Sequence, residues 1–159
     1  MLKNKNIPTL VTIGPSHYCE KVRWAMDFLN IDFKEESYPP FFHILGTSKL
    51  GGRTVPILVT EQGNYKDSTD ILKYLDSSLP EPLLYPPEHQ KEVEELEELF
   101  DIKLGPSARR VAYSHLLYTP EIIFEDFCAS SHPFQDSMYQ TFFPIFKIFI
   151  KKALKVTPE

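Results

Sequence analysis

Thr9-Leu10-Val11-Thr12-Ile13-Gly14-Pro15-Ser16-His17-Tyr18-Cys19 is the stretch that decides the reading of this chain. Thr9 to Ile13 is a short β-branched run closed by Gly14 and Pro15, which predicts a strand ending in a turn. From Ser16 to Leu29 the apolar residues Val22, Ala25, Met26 and Leu29 recur at three and four, which predicts an amphipathic helix with Ser16 near its N-cap. A strand that hands over directly to a helix puts a hydroxyl beside free backbone N–H groups. The first turn of a helix carries unpaired donors and a partial positive charge, so it favours a thiolate and can bring a thiol pKa down from about 8.5. A serine there can donate a hydrogen bond to a bound sulfur, although a serine before a helix is more often an N-cap and nothing else.

Working outward, Ile31 to Ser37 reads as a second strand, and Tyr38 to Gly52 as an irregular crossover with a helical patch at Phe41 to Leu45. Pro56 to Thr60 and Asn64 to Lys66 read as two strands joined by a turn at Glu61, Gln62 and Gly63. Ile71, Leu72 and Leu75 restore helical spacing from Ser68 to Leu79. The order is β, α, β, α, β, β, α. Four prolines between Pro80 and Pro87 mark a stiff, extended linker. Beyond it, Glu88 to Leu104 is an acidic helix that Gly105 and Pro106 are expected to end. Ser107 to Leu117, Pro120 to Ala129 and Met138 to Val156 read as further helices, divided at Pro120 and Pro133.

Two more stretches add to the Ser16 loop. Thr54-Val55-Pro56 enters its strand through an X-Pro bond, which can be cis, and Asp67-Ser68 opens a helix with a carboxylate, a hydroxyl and N–H groups. Ser16-His17-Tyr18-Cys19, then Val55-Pro56, then Asp67-Ser68 resemble, in identity, order and spacing, the glutathione site of glutathione transferases. The resemblance covers Thr9 to Leu79. It implies an α/β thioredoxin-like domain (βαβαββα) at 1–80 that binds glutathione, a Pro-rich linker at 81–87, and a short all-α domain at 88–159, shorter than is usual for the family. It also implies that Val55, before a cis-Pro56, pairs through its backbone with the cysteinyl moiety, and that Asp67 and Ser68 hold the γ-glutamyl end. Ser16 occupies the first position of a glutaredoxin-like Cys-Pro-Tyr-Cys motif and faces the glutathione sulfur as the catalytic residue; Cys19 occupies the last and is expected to be a small buried residue. His17 stands where that motif has proline. Thr54 replaces a common lysine, and Arg53, one step earlier, is carried over as its weak substitute. Lys49 and His43 lie in the crossover but have no motif to anchor them, so they read as surface.

Composition narrows the remaining classes. The chain of 159 residues is 42% hydrophobic and carries a formal charge of -5, from 22 acidic and 17 basic residues, with no dense basic run. Such a chain can build a core and is a poor partner for a phosphate backbone. Two distant cysteines, Cys19 and Cys128, give neither a zinc site nor a disulfide framework, so a reducing, cytoplasmic compartment is the expectation. The longest apolar stretch, Thr141 to Ile150, is interrupted by Pro144 and Lys147 and falls short of a membrane span; a core or dimer-contact helix is expected there. Arg109 and Arg110 could meet an anionic ligand near the cleft, but neighbours on a helix point apart, and surface is the commoner outcome. No metal and no permanently bound cofactor is implied. The resulting expectation is a detoxifying transferase that joins the glutathione thiolate to a small hydrophobic electrophile, working as a homodimer as is usual in the family. The alternatives are glutaredoxin-like disulfide exchange through Cys19 and a non-catalytic glutathione-binding or interaction module.

Overall fold

The computed structural model describes residues 7–128 and 132–156. Its first part is a four-stranded sheet flanked by helices: β1 (Thr9–Thr12), α1 (His17–Phe28), β2 (Lys34–Ser37), α2 (His43–Lys49), β3 (Ile57–Thr60), β4 (Gly63–Lys66) and α3 (Ser68–Ser77). The strand order is β2-β1-β3-β4, with β1 parallel to β2 and antiparallel to β3, and β3 antiparallel to β4. This is the thioredoxin-like arrangement that the sequence predicts. The second strand is shorter than expected, because Ile31 and Phe33 turn inward against the core and pairing begins only at Lys34, whose N–H donates to the Pro8 carbonyl.

The spacing that predicts α1 and α3 also builds the core. Val22, Ala25 and Met26 of α1 meet Leu10, Leu58, Ile71 and Leu75 in one buried cluster. Each of these side chains larger than Ala25 contributes about 1.5–3 kcal/mol on withdrawal from water. The proline-rich segment after α3 is latched to this core by one carboxylate. Asp76 is buried and accepts from the N–H groups of Leu83 (2.7 Å), Leu84 (2.8 Å) and Tyr85 (3.2 Å).

The second part is helical: α4 (Gln90–Leu99), a π-helical turn (Phe100–Leu104), α5 (Gly105–Leu116), α6 (Pro120–Cys128) and α7 (Pro133–Leu154). Two expectations are corrected here. Gly105 and Pro106 do not end a helix; they begin α5 directly after the wide π turn, with Pro106 in the first turn, where a missing N–H costs least. The last helix starts at Pro133 rather than Met138, because His132 takes the N-cap and its ring nitrogen accepts from the Phe134 N–H. Ala129, the expected end of α6, lies outside the described residues.

Leu117, Ile123, Phe127, Tyr139, Phe143 and Ile150 form a second buried cluster, and Ile13, Phe41 and Phe42 from the first part pack against it. The expectation that α7 is buried holds for one face only. Phe142, Ile145, Ile148 and Phe149 on its other face are exposed. No helix among the described residues is long and apolar enough to cross a membrane.

Candidate functional site

Val11, Ile57 and Lys66 are register partners across three neighbouring strands. Because β3 runs against its two neighbours, the residues after Val11, before Ile57 and after Lys66 emerge at one end of the sheet. Those residues are the Gly14-Pro15-Ser16 loop, Val55-Pro56 and Asp67-Ser68, so three stretches far apart in sequence converge. The Asp67 N–H points to the Pro56 carbonyl at 3.5 Å. The Val55-Pro56 peptide bond is cis.

Ser16 takes the N-cap position of α1 with an extended backbone, yet its side chain makes no capping hydrogen bond. Its hydroxyl is partly exposed and offers a hydrogen bond to the Cys19 sulfur instead. Cys19 is fully buried. Burial pushes its thiol pKa up, and the Ser16 hydroxyl opposes this without cancelling it, so the group is a thiol near neutral pH. The helix N-terminus therefore does not produce a reactive cysteine here, as expected for a small buried residue at the end of the motif.

After β4, Asp67 caps α3, its carboxylate accepting from the Thr69 N–H at 2.9 Å. It holds φ at 102°, a conformation that residues other than glycine rarely adopt. Asp67 is exposed, whereas Ser68 is buried at the first turn of α3. Pro56 is buried and Val55 half-buried. Arg53 is exposed. His43 is half-buried, with its Nδ1 shielded, and so is not the free surface residue expected; burial lowers its pKa and leaves it neutral near pH 7. Lys49 is exposed, as expected.

Several residues that the sequence did not single out fasten the helical part to this end. Lys21, on α1, pairs with Glu97 at 2.5 Å and with Asp101 at 2.9 Å. Thr69 donates to Glu97 at 2.9 Å, and the Tyr85 hydroxyl donates to Glu97 at 2.7 Å. Burial alone would raise the Glu97 pKa, but the hydrogen bonds from Lys21 and Tyr85 hold it below the usual carboxylate value. Burial and the Glu97 carboxylate push the Tyr85 phenol up, well beyond its ordinary range. Such partners are separated by up to 80 residues in sequence, and no local pattern announces them.

The Ser16 loop is approached from two sides. Gly105 lies so close that a Cβ there would meet His17 Nε2 at 2.8 Å and the Tyr18 hydroxyl at 2.9 Å. His17, in the proline position of the motif, packs on Tyr18 with ring centroids 4.0 Å apart, and the Tyr18 hydroxyl donates to the Asp101 carbonyl at 2.9 Å. A Cβ on Gly14 would meet the Asp126 carbonyl of α6 at 2.9 Å. Arg109 and Arg110 do point apart. The Arg110 Nε donates to the Leu154 carbonyl, while the Arg109 guanidinium lies 6.0 Å from the Tyr18 ring centre. Burial and the Arg109 charge lower the His17 pKa against a smaller pull from Asp101, so that imidazole is neutral at pH 7.

Among known proteins, residues 10–83 match the family described as glutathione S-transferase, N-terminal domain. A glutathione transferase of Phanerochaete chrysosporium has the same fold with a TM-score of 0.61 at 14% identity, covering 98% of this chain and 66% of its own. The Tau class enzyme of mango gives a TM-score of 0.56 at 17% identity, with 96% and 81% covered. A glutathione transferase homolog from Burkholderia, solved with bound glutathione, gives 0.53 at 16% identity, with 94% and 98% covered. Other glutathione transferase structures are longer, and this chain spans about half of their length, 47% and 49% in two cases. No curated protein sequence matches the chain. At these identities the likeness to solved structures is one of fold, and it agrees with the family match over the sheet domain. Residues 10–83 match the glutathione S-transferase N-terminal domain family, and the chain as a whole shares the glutathione transferase fold, a thioredoxin-like N-terminal domain followed by a helical part.

Proposed function

We propose that the protein is a glutathione transferase that joins the thiolate of glutathione to a small electrophile. The observation that carries this reading is the convergence of the Ser16 loop, Val55-Pro56 and Asp67-Ser68 at one end of the sheet, with a hydroxyl at the α1 N-terminus that makes no capping hydrogen bond. In this reading the Ser16 hydroxyl and the first turn of α1 stabilise the glutathione thiolate, and the Val55 backbone pairs with the cysteinyl unit. Asp67 and the α3 N-terminus hold the γ-glutamyl end, and Arg53 faces a terminal carboxylate. Glutathione found in the Burkholderia homolog supports the choice of cosubstrate. The division at 81–87 between a glutathione-binding domain (1–80) and a helical domain (88–159) and the homodimeric state are part of the same proposal; light scattering of the purified protein tests the latter.

A thiolate at this position is favoured by the helix end and by a donor that need only rotate from one sulfur to another. Lowering the thiol pKa toward neutrality raises the thiolate fraction at pH 7 more than it lowers intrinsic nucleophilicity. Disulfide exchange through Cys19 is not favoured, since that sulfur is sealed from solvent and its pKa is raised.

The experiment is calorimetric titration of glutathione into the wild-type protein and Asp67→Ala, followed by conjugation of an aryl halide. Binding that the substitution weakens, with conjugation above the uncatalysed rate, is the expected result. Binding without conjugation leaves a glutathione-binding module. No binding at millimolar glutathione overturns the reading.

A further inference from the structure

No carboxylate among the described residues forms an ion pair with the Arg109 side chain, although Asp101 and the five glutamates of α4 precede it in the helical part. Asp101 is already engaged by Lys21 at 2.9 Å. The Arg109 Nε is shielded from water and has no hydrogen-bond partner among the described residues. A half-buried guanidinium without a carboxylate costs free energy, and because its Nε is closed off, an anionic partner would recover part of that cost through the terminal nitrogens. The next arginine shows the contrast, since the Arg110 Nε donates to a backbone carbonyl at 3.1 Å.

The position of Arg109 gives this charge a purpose. Gly105 brings the first turn of α5 against His17 and Tyr18, and Arg109, one turn further along α5, reaches over the face of the Tyr18 ring. The charge therefore stands on the helical side of Tyr18, two residues after Ser16. His17 presents an exposed imidazole there, and its lowered pKa leaves Arg109 as the positive charge of the pair at pH 7. An aromatic ring can pack on that imidazole, while an acid group at its far end meets the guanidinium in a bidentate hydrogen bond.

We propose that Arg109 binds an acid group of the electrophilic cosubstrate, so that the site beside Ser16 selects carboxylate-bearing aryl electrophiles over neutral ones. The inference rests on the transferase reading and names its substrate class. In the reaction itself the glutathione thiolate forms the carbon–sulfur bond to the ring, and the halide leaves with the electron pair of the carbon–halogen bond. Arg109 touches the remote acid group rather than the reacting carbon, so it governs specificity.

Two measurements test this. The first compares kcat/KM for 4-chloro-3-nitrobenzoate and for its neutral methyl ester. The acid is expected to be preferred, with the preference falling about tenfold in Arg109→Gln, the worth of one charge-assisted contact, and unchanged in Arg110→Gln. The second needs no chemistry and follows the His17 imidazole resonances as 4-nitrobenzoate or nitrobenzene is added to the glutathione-free protein. A shift with the acid, absent with nitrobenzene and lost in Arg109→Gln, supports the anion subsite even if no conjugation occurs; in that case the transferase reading fails and the subsite stands. Conjugation of acid and ester with no preference that Arg109→Gln alters, or imidazole resonances that respond equally to both nitro compounds, overturns the proposal while leaving the transferase reading intact.

Discussion

A serine that occupies an N-cap without capping keeps its hydroxyl for another acceptor, and in Ser16 that acceptor is a sulfur. Ser16→Ala is expected to lower kcat/KM for conjugation by about tenfold to a hundredfold, the worth of one hydrogen bond to a charged group. It should also raise the pKa of bound glutathione, read from the ultraviolet absorbance of the thiolate. Cys19 should resist alkylation by iodoacetamide at pH 7–8 in the native protein and react once unfolded, as peptide mapping by mass spectrometry would record; rapid native labelling would revive the disulfide-exchange reading. Gly105→Ala would ordinarily gain about 1 kcal/mol of helix propensity. Here it should instead destabilise by about 1–3 kcal/mol in denaturant unfolding, because the new methyl meets His17 and Tyr18. Tyr139 is fully buried, and its hydroxyl finds no hydrogen-bond partner among the described residues, so Tyr139→Phe should be neutral or stabilising by up to about 1 kcal/mol. At this scale the sequence shows Ser16, Pro56 and Asp67, because caps and X-Pro bonds are local signals. It hides Lys21 and Glu97, whose roles depend on what lies opposite them.

Among the elements, the linker after α3 is held rather than merely stiff. Asp76→Ala strips three backbone N–H groups of their acceptor at once and should cost about 2–4 kcal/mol in chemical denaturation. The α4 contact to α1 carries a pH dependence. The Glu97 pKa is depressed in the folded state below its ordinary 4.5, so its contribution is complete above that value and is lost as pH falls through the folded pKa. Glu97→Gln should therefore flatten the acid limb of the stability curve measured by thermal melts, and an unchanged limb would show that the Lys21 contact is not formed in solution. Periodicity was sufficient for α1 and α3, since each buries one stripe, while an apolar run bounded by turn residues located β1, and a turn between two short runs located β3 and β4. It misplaced the end of the acidic helix because glycine and proline stop helices only when no wider turn carries the chain through them.

Across the whole molecule two apolar clusters share a boundary in which Ile13, Phe41 and Phe42 of the sheet domain pack against α6 and α7. Phe41 is held at φ 73° with its ring 4.5 Å from that of Phe146, so the crossover conformation depends on the last helix. The order of elements and the thioredoxin-like sheet were legible from sequence, whereas this seam was not, because apolar spacing tells that a face is covered and not by what. The π turn at Phe100–Leu104 sets how that seam is aligned. A π turn amounts to one residue more than an α-helix needs over the same length, and each residue advances a helix by about 100°. Deleting a single residue within 100–104 would let an ordinary helical turn cover the same length, so Gly105 would stay against His17 and Arg109 over Tyr18. Tightening the turn to an α-helix with all its residues kept would instead rotate everything after it by about 100°. The register of the second half against the first is in this sense set by one surplus residue that the wide turn absorbs, a phase that tightening the turn would change without altering any side chain at the site.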